Sequence, residues 1–225
     1  MIFYVNNKEY NLDYTKMQKN FISSGYESDV YKIDDKVFKF YKEICLKYRL
    51  NEEMVNYLSK IKTNRILLPQ DIIYDEYNNF FGYTMKYIKP NIKDEIGNIK
   101  IEKLLKELLC IKKDLILLKD NNIFIDDLCD SNFIFNNGIY LIDPGSFELD
   151  KNKSKDYIEI INMEMMQDFI IRYILFRYKK LSYKEKNELN KYFPLDKYMY
   201  DSIKSDIINK KETIYEYSNR IINKL

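Results

Sequence analysis

The sequence predicts an α+β protein with a strand-rich first part and a helical second part. Up to about residue 88, β-branched and aromatic residues alternate with polar ones in short runs, and this period of two is typical of strands. From Ile101 onward the apolar residues recur at helical spacing instead. Lys89-Pro90-Asn91 lies between the two patterns and interrupts either kind of element. We therefore predict two lobes, residues 1–88 and residues 89–225.

A β-hairpin is the clearest predicted element of the first lobe. Val30–Ile33 and Val37–Tyr41 are both strand-like, and Asp34-Asp35 between them suits a turn. A helix follows, because Met54 and Leu58 share one helical face. The predicted elements after the hairpin are a helix over about 46–60 and strands over 71–74 and 81–88.

A long amphipathic helix beginning near Ile101 opens the second lobe, with leucines on one side and Lys and Glu on the other. A second hairpin is predicted over residues 133–135 and 139–142, since Asn136-Asn137-Gly138 is a turn sequence that tolerates positive φ. The chain from about Tyr157 to its end is predicted to be helical.

Composition excludes several kinds of chemistry. The 225 residues include 37 basic and 35 acidic side chains, a net charge of +2, and 46% hydrophobic residues. This is the balance of an ordered globular protein, and it argues against a polybasic nucleic-acid arm. Because there is no histidine, Ser-His-Asp triads, Cys-His nucleophiles and His-ligated metals are excluded. Acid–base chemistry must use carboxylates, Lys, Tyr or Cys.

The cysteines and the N-terminal residues predict a compartment. Cys45, Cys110 and Cys129 are odd in number and lack Cys-x-x-Cys spacing, which argues against a disulfide framework and a thiolate metal site. The chain has neither a signal-peptide pattern at its start nor a long uncharged stretch. We expect a cytoplasmic protein, or one delivered without a Sec signal peptide, with no nucleic-acid or membrane partner. The oligomeric state stays open.

Two carboxylates and an amide near the second hairpin suggest a cation site. Gly145 follows Asp143-Pro144 at the end of a predicted strand, and Asp127 and Asn132 precede the same hairpin. Carboxylate and amide oxygens suit a hard cation such as Mg²⁺. In a chain without histidine, this indicates phosphoryl transfer as the reaction class to test.

Taken in order, these motifs resemble those of the protein kinase superfamily. Ile125–Asn132 is similar to the catalytic loop H-R-D-L-x-x-x-N, with the spacing from Asp to Asn kept. Asp143-Pro144-Gly145 resembles D-F-G, and Ile22–Val30 resembles a degenerate G-x-G-x-x-G-x-V loop in which two serines replace glycines. The resemblance implies a minimal, divergent bacterial-type member of the superfamily. Its bilobal kinase-like fold would have a β-rich N-lobe, residues 1–88, and a reduced helical C-lobe, residues 89–225.

The resemblance also implies a site for ATP with Mg²⁺, or with Mn²⁺ in its place. Lys39 would bind the α- and β-phosphates and be held by Glu53, or by Glu52 because the helix register is open. The implied nucleotide-binding residues are Ser23, Ser24, Gly25, Tyr26, Ser28, Val30, Lys39, Glu53, Met85, Lys86 and Ile88.

The same resemblance assigns the catalytic roles. Asn132 and Asp143 would hold the metal ion, and Asp127 would accept the proton of the acceptor hydroxyl. Together with Lys39, these residues form the implied catalytic set. Asp168, on the next predicted helix, either anchors the catalytic loop or is simply a solvated carboxylate.

Departures from the kinase pattern leave the acceptor open. Ile125 and Asp126 replace the His and Arg of the catalytic loop, so regulation through a phosphorylated activation segment is not expected. The segment after Gly145 is short and no A-P-E follows, which predicts a reduced peptide-docking platform. We favour a protein Ser/Thr kinase with a protein substrate. The alternatives are a small-molecule kinase similar to aminoglycoside or choline kinases, and an inactive or nucleotide-binding pseudokinase that acts as a binding module.

Overall fold

An antiparallel sheet of seven strands dominates the first part of the chain in the computed structural model, which describes residues 1–42, 50–90, 101–125 and 132–169, and Glu216. The order across this sheet is β2-β1-β6-β7-β5-β4-β3, and every neighbouring pair is antiparallel. The strands are β1 Ile2–Val5, β2 Lys8–Asn11, β3 Phe21–Ser24, β4 Ser28–Ile33, β5 Lys36–Tyr41, β6 Ile72–Asp75 and β7 Phe80–Lys86. Two short helices accompany them, α1 Tyr14–Asn20 and α2 Glu52–Leu58.

The described residues fall into two compact units. The first consists of Met1–Thr63, Leu67–Ile88 and Asp143–Ser146. The second is drawn from Asn64–Ile66, Lys89–Ile142 and Phe147–Leu225. The short turn Pro144–Ser146 therefore belongs with the large sheet, although it is distant from that sheet in sequence.

Aromatic side chains build the core on one face of the large sheet. Phe38 and Phe40 point to the same face because side chains alternate along a strand. The Phe3 ring packs edge-on against both, at centroid distances of 5.7 Å and 4.9 Å. The buried members of this cluster are Phe3, Val5, Leu12, Tyr31, Phe38, Phe40 and Ile73.

The second unit combines two helices with two small strand pairs. Helix α3 spans Ile101–Asp120 and helix α4 spans Lys155–Phe169. Strands β9 (Phe133–Phe135) and β10 (Ile139–Leu141) form a hairpin, and β8 (Ile123–Ile125) pairs with β11 (Phe147–Leu149).

Two buried carboxylates on α3 tie the second unit together. One oxygen of Asp114 accepts the backbone N–H groups of Asn64, Arg65 and Ile66 at 2.9, 2.5 and 3.0 Å. Two turns earlier, Glu107 pairs with the Arg65 guanidinium at 2.7 Å. Both carboxylates are desolvated, and these bonds pair Glu107 and one oxygen of Asp114, whose other oxygen has no hydrogen-bond partner within the described residues.

The α+β class predicted from the sequence is confirmed. Both predicted hairpins, the predicted strands at 71–74 and 81–88 and the helix from Ile101 are also present, with ends shifted by a few residues. Within the described residues, no helix is both long enough and apolar enough to cross a membrane.

The helix predicted over about 46–60 is present as α2, which is shorter than predicted within the described residues. Helix α2 begins only at Glu52, because the Asn51 side chain accepts the N–H of Met54 and caps it. The helix ends at Leu58, and residues 46–49 lie outside the described chain. Of the helix predicted from Tyr157 to the end, residues up to Phe169 and Glu216 are helical, and the rest lies outside the described chain.

Several elements were not predicted individually, among them the first hairpin. Strands β1 and β2 are joined by Asn6 and Asn7, which adopt φ of 50° and 62°. Two consecutive left-handed residues form the turn that matches strand twist, and asparagine accepts this conformation readily. The Asn-Asn pair was therefore an available signal. The other elements of this kind are α1, β3, β8 and β11.

We predict that Gly82→Ala destabilises the sheet by about 1–3 kcal/mol. A Cβ at Gly82 would overlap the backbone carbonyl of Lys39 on the neighbouring strand, and neither backbone can move away without disturbing the pairing of β5 with β7. Chemical denaturation measures the loss. Gly25→Ala is the matched control, because a Cβ there meets nothing closer than 3.9 Å. Equal effects of the two substitutions would contradict the prediction.

We also predict that the ion pair of Asp71 makes stability depend on acid pH. Burial raises the pKa of Asp71, but hydrogen bonds from Lys36, Asn6 and Thr84 outweigh it and hold the pKa below its usual 3.8. A carboxyl with a lowered folded-state pKa contributes stability above its unfolded pKa and loses it as the pH falls through the folded value. Asp71→Asn should therefore be less stable than the wild type from pH 7 to pH 5.

The difference between wild type and Asp71→Asn should shrink below about pH 4. Denaturation midpoints of both proteins across this range measure it. A difference that stays constant down to pH 2 would show that shape, and not charge, is the contribution of Asp71.

Candidate functional site

Lys39 lies on β5 and faces away from the aromatic core. Since Phe38 and Phe40 point into that core, alternation sends Lys39 to the opposite face of the sheet. There it stands directly across from Val30 on β4 and from Tyr83 on β7. Its side chain is only 5% exposed, and its ammonium lies 5.8 Å from the centre of the Tyr83 ring. A lysine buried to this degree needs a partner for its charge.

The partner of Lys39 is Asp143, which lies 104 positions further along the sequence. Lys39 Nζ lies 2.5 Å from Asp143 Oδ1, and the N–H of Gly145 donates to the same oxygen at 3.3 Å. Asp143 has φ of 61°, a left-handed conformation that aspartate adopts more readily than most residues. The Asp-Pro-Gly turn thus returns a carboxylate to the buried ammonium.

Glu27 is a third charged residue at this place, and the sequence analysis missed it. A Cβ built on Gly145 would lie 3.1 Å from Asp143 Oδ1, 3.6 Å from Glu27 Oε2 and 3.7 Å from Lys39 Nζ. Two carboxylates and one ammonium therefore surround a single point, which Gly145 keeps free of a side chain. The available signal was the position of Glu27 two residues after Gly25, within the loop that the resemblance assigns to phosphates.

The electrostatic field of the two carboxylates reaches the tyrosines beneath them. Burial, followed by the negative charges of Asp143 and Glu27, holds the pKa of Tyr83 well above its usual value. Burial is also the largest cause of the raised pKa of Tyr41, whose ring packs edge-on against that of Tyr83 at 5.9 Å. Both phenols stay neutral, so they add no charge near Lys39.

The turn that carries Glu27 is held by its own hydrogen bonds and by Lys42, the residue that follows β5. Gly25 N–H donates to the carbonyl of Ser28 at 2.9 Å. The Lys42 ammonium donates to Ser24 Oγ at 2.7 Å and to the Gly25 carbonyl at 2.8 Å, and it pairs with Asp29 at 3.2 Å. The Lys42 ammonium therefore holds this serine-containing loop in place.

The other predicted nucleotide-binding residues occupy several different places. Val30 and Met85 lie on the same face of the sheet as Lys39. Val30 is directly opposite Lys39, and Met85 is directly opposite Val37, which shares a face with Lys39 because the two are separated by one residue on β5. Ile88 is buried just after β7, and Lys86 is exposed at the end of that strand. Ser23, Ser24 and Tyr26 are exposed, and Ser28 is buried.

Neither predicted helix partner of Lys39 is bonded to it. Glu53 is exposed on α2, and Glu52 accepts the Tyr74 hydroxyl at 2.7 Å. Among the described residues the ion pair of Lys39 is with Asp143.

Of the remaining predicted catalytic positions, the structure describes Asn132, in the second unit. The carbonyl of Asn132 accepts the N–H of Ile142 at 2.7 Å, which extends the β9–β10 ladder by one bond. Ile142 is the residue before Asp143 in the chain. Asp127 lies outside the described residues, as does the rest of segment 126–131.

Asn162 on α4 fixes the strand that leads into that segment. Its amide oxygen accepts the N–H of Ile125 at 2.8 Å, and its amide nitrogen donates to the carbonyl of Ile123 at 3.1 Å. The side chain is fully buried and completes the edge of β8 as a neighbouring strand would. Asp168, which the sequence suggests either as an anchor of the catalytic loop or as a solvated carboxylate, has its side chain outside the described set.

The donor set for a metal ion is small in the described chain. Within residues 1–42, 50–90, 101–125 and 132–169, no group of three or more Asp, Glu or Cys side chains is arranged to hold one. The Asp143 side chain is nevertheless 42% exposed, and both of its contacts are made by Oδ1. Its second oxygen suits a bond to a hard cation.

No protein-family model and no curated protein sequence matches this chain. The motifs and the geometry of the described residues are therefore the basis for a functional proposal.

We predict that Asn162→Ala lowers the free energy of unfolding by about 1–3 kcal/mol for each backbone group left without a partner. Both Ile123 and Ile125 are buried, so their freed carbonyl and N–H have no access to water. Chemical denaturation measures the change. Asn56→Ala, at an exposed position on α2, is the matched control and should change stability by less than about 0.5 kcal/mol. A similar small effect at Asn162 would contradict the role assigned to its amide.

Proposed function

We propose that this protein is an ATP-dependent, Mg²⁺-assisted phosphotransferase with a bilobal protein-kinase-like fold, and that it acts as a minimal protein Ser/Thr kinase. The single observation that carries the proposal is the ion pair between Lys39 and Asp143. These are the lysine and the aspartate that the kinase resemblance selects from the sequence. They are distant along the chain and meet in the first unit.

The surroundings of Lys39 support a role in phosphate binding. Its stem is buried, so the ammonium is held at the end of an immobile arm and loses little freedom on binding an anion. The loop containing Gly25 lies beside it and turns tightly, with the carbonyl of Ser28 already bonded. Small residues in such a loop allow the main chain to approach phosphates closely.

The kinase resemblance implies Asp143 and Asn132 as the residues that would hold Mg²⁺. One carboxylate oxygen and one amide oxygen are the donors this ion accepts, and phosphate oxygens and water complete its coordination in sites of this type. The ion, when bound, neutralises charge on the phosphate oxygens. Asp143 is exposed enough to exchange its bond to Lys39 for a bond to a cation.

Asp127 is the proposed proton acceptor. The hydroxyl oxygen of the acceptor forms a bond to the γ-phosphorus as the bond from that phosphorus to the bridging β–γ oxygen breaks, and ADP leaves. The hydroxyl proton passes to the Asp127 carboxylate, a contribution of about 10²- to 10⁴-fold in rate. Asn162 bonds to the backbone of β8, the strand that precedes this segment in the chain.

A small-molecule acceptor is the second candidate, and one observation favours it. After Gly145 the chain passes through Ser146, the three residues of β11 and a short connection, and α4 begins at Lys155. This leaves little chain for the platform on which protein kinases bind a peptide. Amino sugars and polyols are therefore tested beside protein acceptors.

We predict that Mg·ATP raises the thermal midpoint of the wild type and that Asp143→Asn removes the Mg²⁺-dependent part of the rise. At a ligand concentration 100 times Kd, the linkage is about 2.7 kcal/mol, or about 5–10 °C for a chain of this size. Asp127→Asn should keep the rise but lose transfer of phosphate from γ-labelled ATP, because only the proton acceptor is changed.

The chain offers a closely matched control in a second lysine of the same strand. Lys36 on β5 pairs with Asp71 at 2.6 Å, much as Lys39 pairs with Asp143. Asp71→Asn should lower the midpoint of the free protein yet keep the full rise with Mg·ATP. The absence of any rise in the wild type at millimolar Mg·ATP would overturn the proposal and favour a pseudokinase without nucleotide.

A further inference from the structure

We propose that Glu27 is the acidic positioning residue of Lys39: it holds the buried ammonium when Asp143 is drawn to a metal–nucleotide complex. This inference rests on the proposed function. It assigns to the loop after Gly25 a role that the kinase resemblance gives to Glu53 on α2.

The argument begins with the charge around Lys39. Glu27 Oε2, Asp143 Oδ1 and Lys39 Nζ all lie within 3.7 Å of the point where a Gly145 Cβ would stand. Asp143 is the carboxylate in direct contact with the ammonium. Glu27 is a second carboxylate at this point among the described residues, and it is half-buried.

Burial makes a second partner necessary. The Lys39 side chain is 5% exposed, so water cannot replace a departing carboxylate. A buried ammonium without a counter-charge is strongly destabilising. Asp143 is far more exposed than Lys39, and it is the member of the pair that a cation can reach. Nucleotide binding with Asp143 as a metal ligand would therefore leave Lys39 dependent on phosphate and on one other carboxylate.

Glu27 is placed to be that carboxylate, and its position is fixed by the chain around it. Its own carbonyl accepts the N–H of Lys42 at 2.9 Å, and the Lys42 ammonium holds the preceding Ser24 and Gly25. Glu27 Oε2 lies 3.6 Å and Lys39 Nζ 3.7 Å from the same point beside Gly145. Glu53 is exposed on α2 and has no such restraint in the described chain.

The first test needs no nucleotide. Thermal midpoints are measured for the wild type, Glu27→Gln, Asp143→Asn and the double variant. Asp143→Asn reproduces the loss of the first carboxylate, so Glu27→Gln should cost more in that background than in the wild type. We expect the excess to be about 2–4 °C. Glu76→Gln, the same substitution on an exposed turn, should cost the same in both backgrounds.

Glu53→Gln, measured in the same experiment, tests the alternative that Glu53 on α2 is the second partner of Lys39. An excess loss for Glu53→Gln with Asp143→Asn, and additivity for Glu27→Gln, would overturn the inference in favour of α2. Additivity for both would overturn it as well. Should the Glu27→Gln, Asp143→Asn protein fail to fold, Glu27→Asp in the same background decides. Recovery of the folded protein by a shorter side chain of the same charge supports the inference, and failure of that variant refutes it.

The second test uses Mg·ATP as the probe. Glu27→Gln should lower kcat/KM for ATP by about tenfold, the order expected for a residue that orients another ligand, and Glu27→Asp should restore part of it. A wild type that gains no stability from Mg·ATP, combined with excess loss in the first test, would refute the proposed function while leaving the pairing of Glu27 with Lys39 intact. An unchanged kcat/KM for ATP in Glu27→Gln would refute the role of Glu27 alone.

Discussion

The buried ammonium of Lys39 is the constraint on which the arrangement of the first unit depends. A charged group removed from water must meet an opposite charge, and the chain returns Asp143 from far along the sequence to provide it. The rest of this unit accommodates that pair. The aromatic core occupies the opposite face of β5, Gly82 lets β7 approach the Lys39 backbone, and Gly145 leaves room for three charged atoms.

The second unit satisfies buried polar groups in a similar way, with side chains that bond to the backbone. Asp114 gathers three N–H groups of one short segment, and Asn162 completes both bonding positions on β8. Asp114 stands on α3 and Asn162 on α4, and each bonds to backbone groups of a short neighbouring segment. Since an unpaired buried N–H or carbonyl costs as much as a lost hydrogen bond, such residues fix short strands that could not persist alone.

The candidate site was predicted from the sequence only in part. Lys39 and Asp143 were identified because their motifs keep the spacing of a known pattern, and the structure brings their side chains together. Glu27 was missed because it lies at a variable position of the glycine-rich-loop pattern, and Asn162 was missed because it belongs to no such pattern. Their roles depend on which atoms lie within a few ångströms, and a single sequence does not contain those distances. The short helix α2 was predicted too long for a similar reason, since apolar spacing does not reveal that Asn51 caps it.

The sequence by itself determined the α+β class, the two main hairpins, the long helix from Ile101 and the kinds of chemistry open to a chain without histidine. These follow from local properties, namely side-chain periodicity, turn residues and composition. Only the tertiary structure decided that the partner of Lys39 is Asp143, that Glu27 stands beside them and that Asn162 supports β8. Those contacts depend on how distant parts of the chain are brought together, and they form because a buried charge or amide must find its partner among the groups that the fold places beside it.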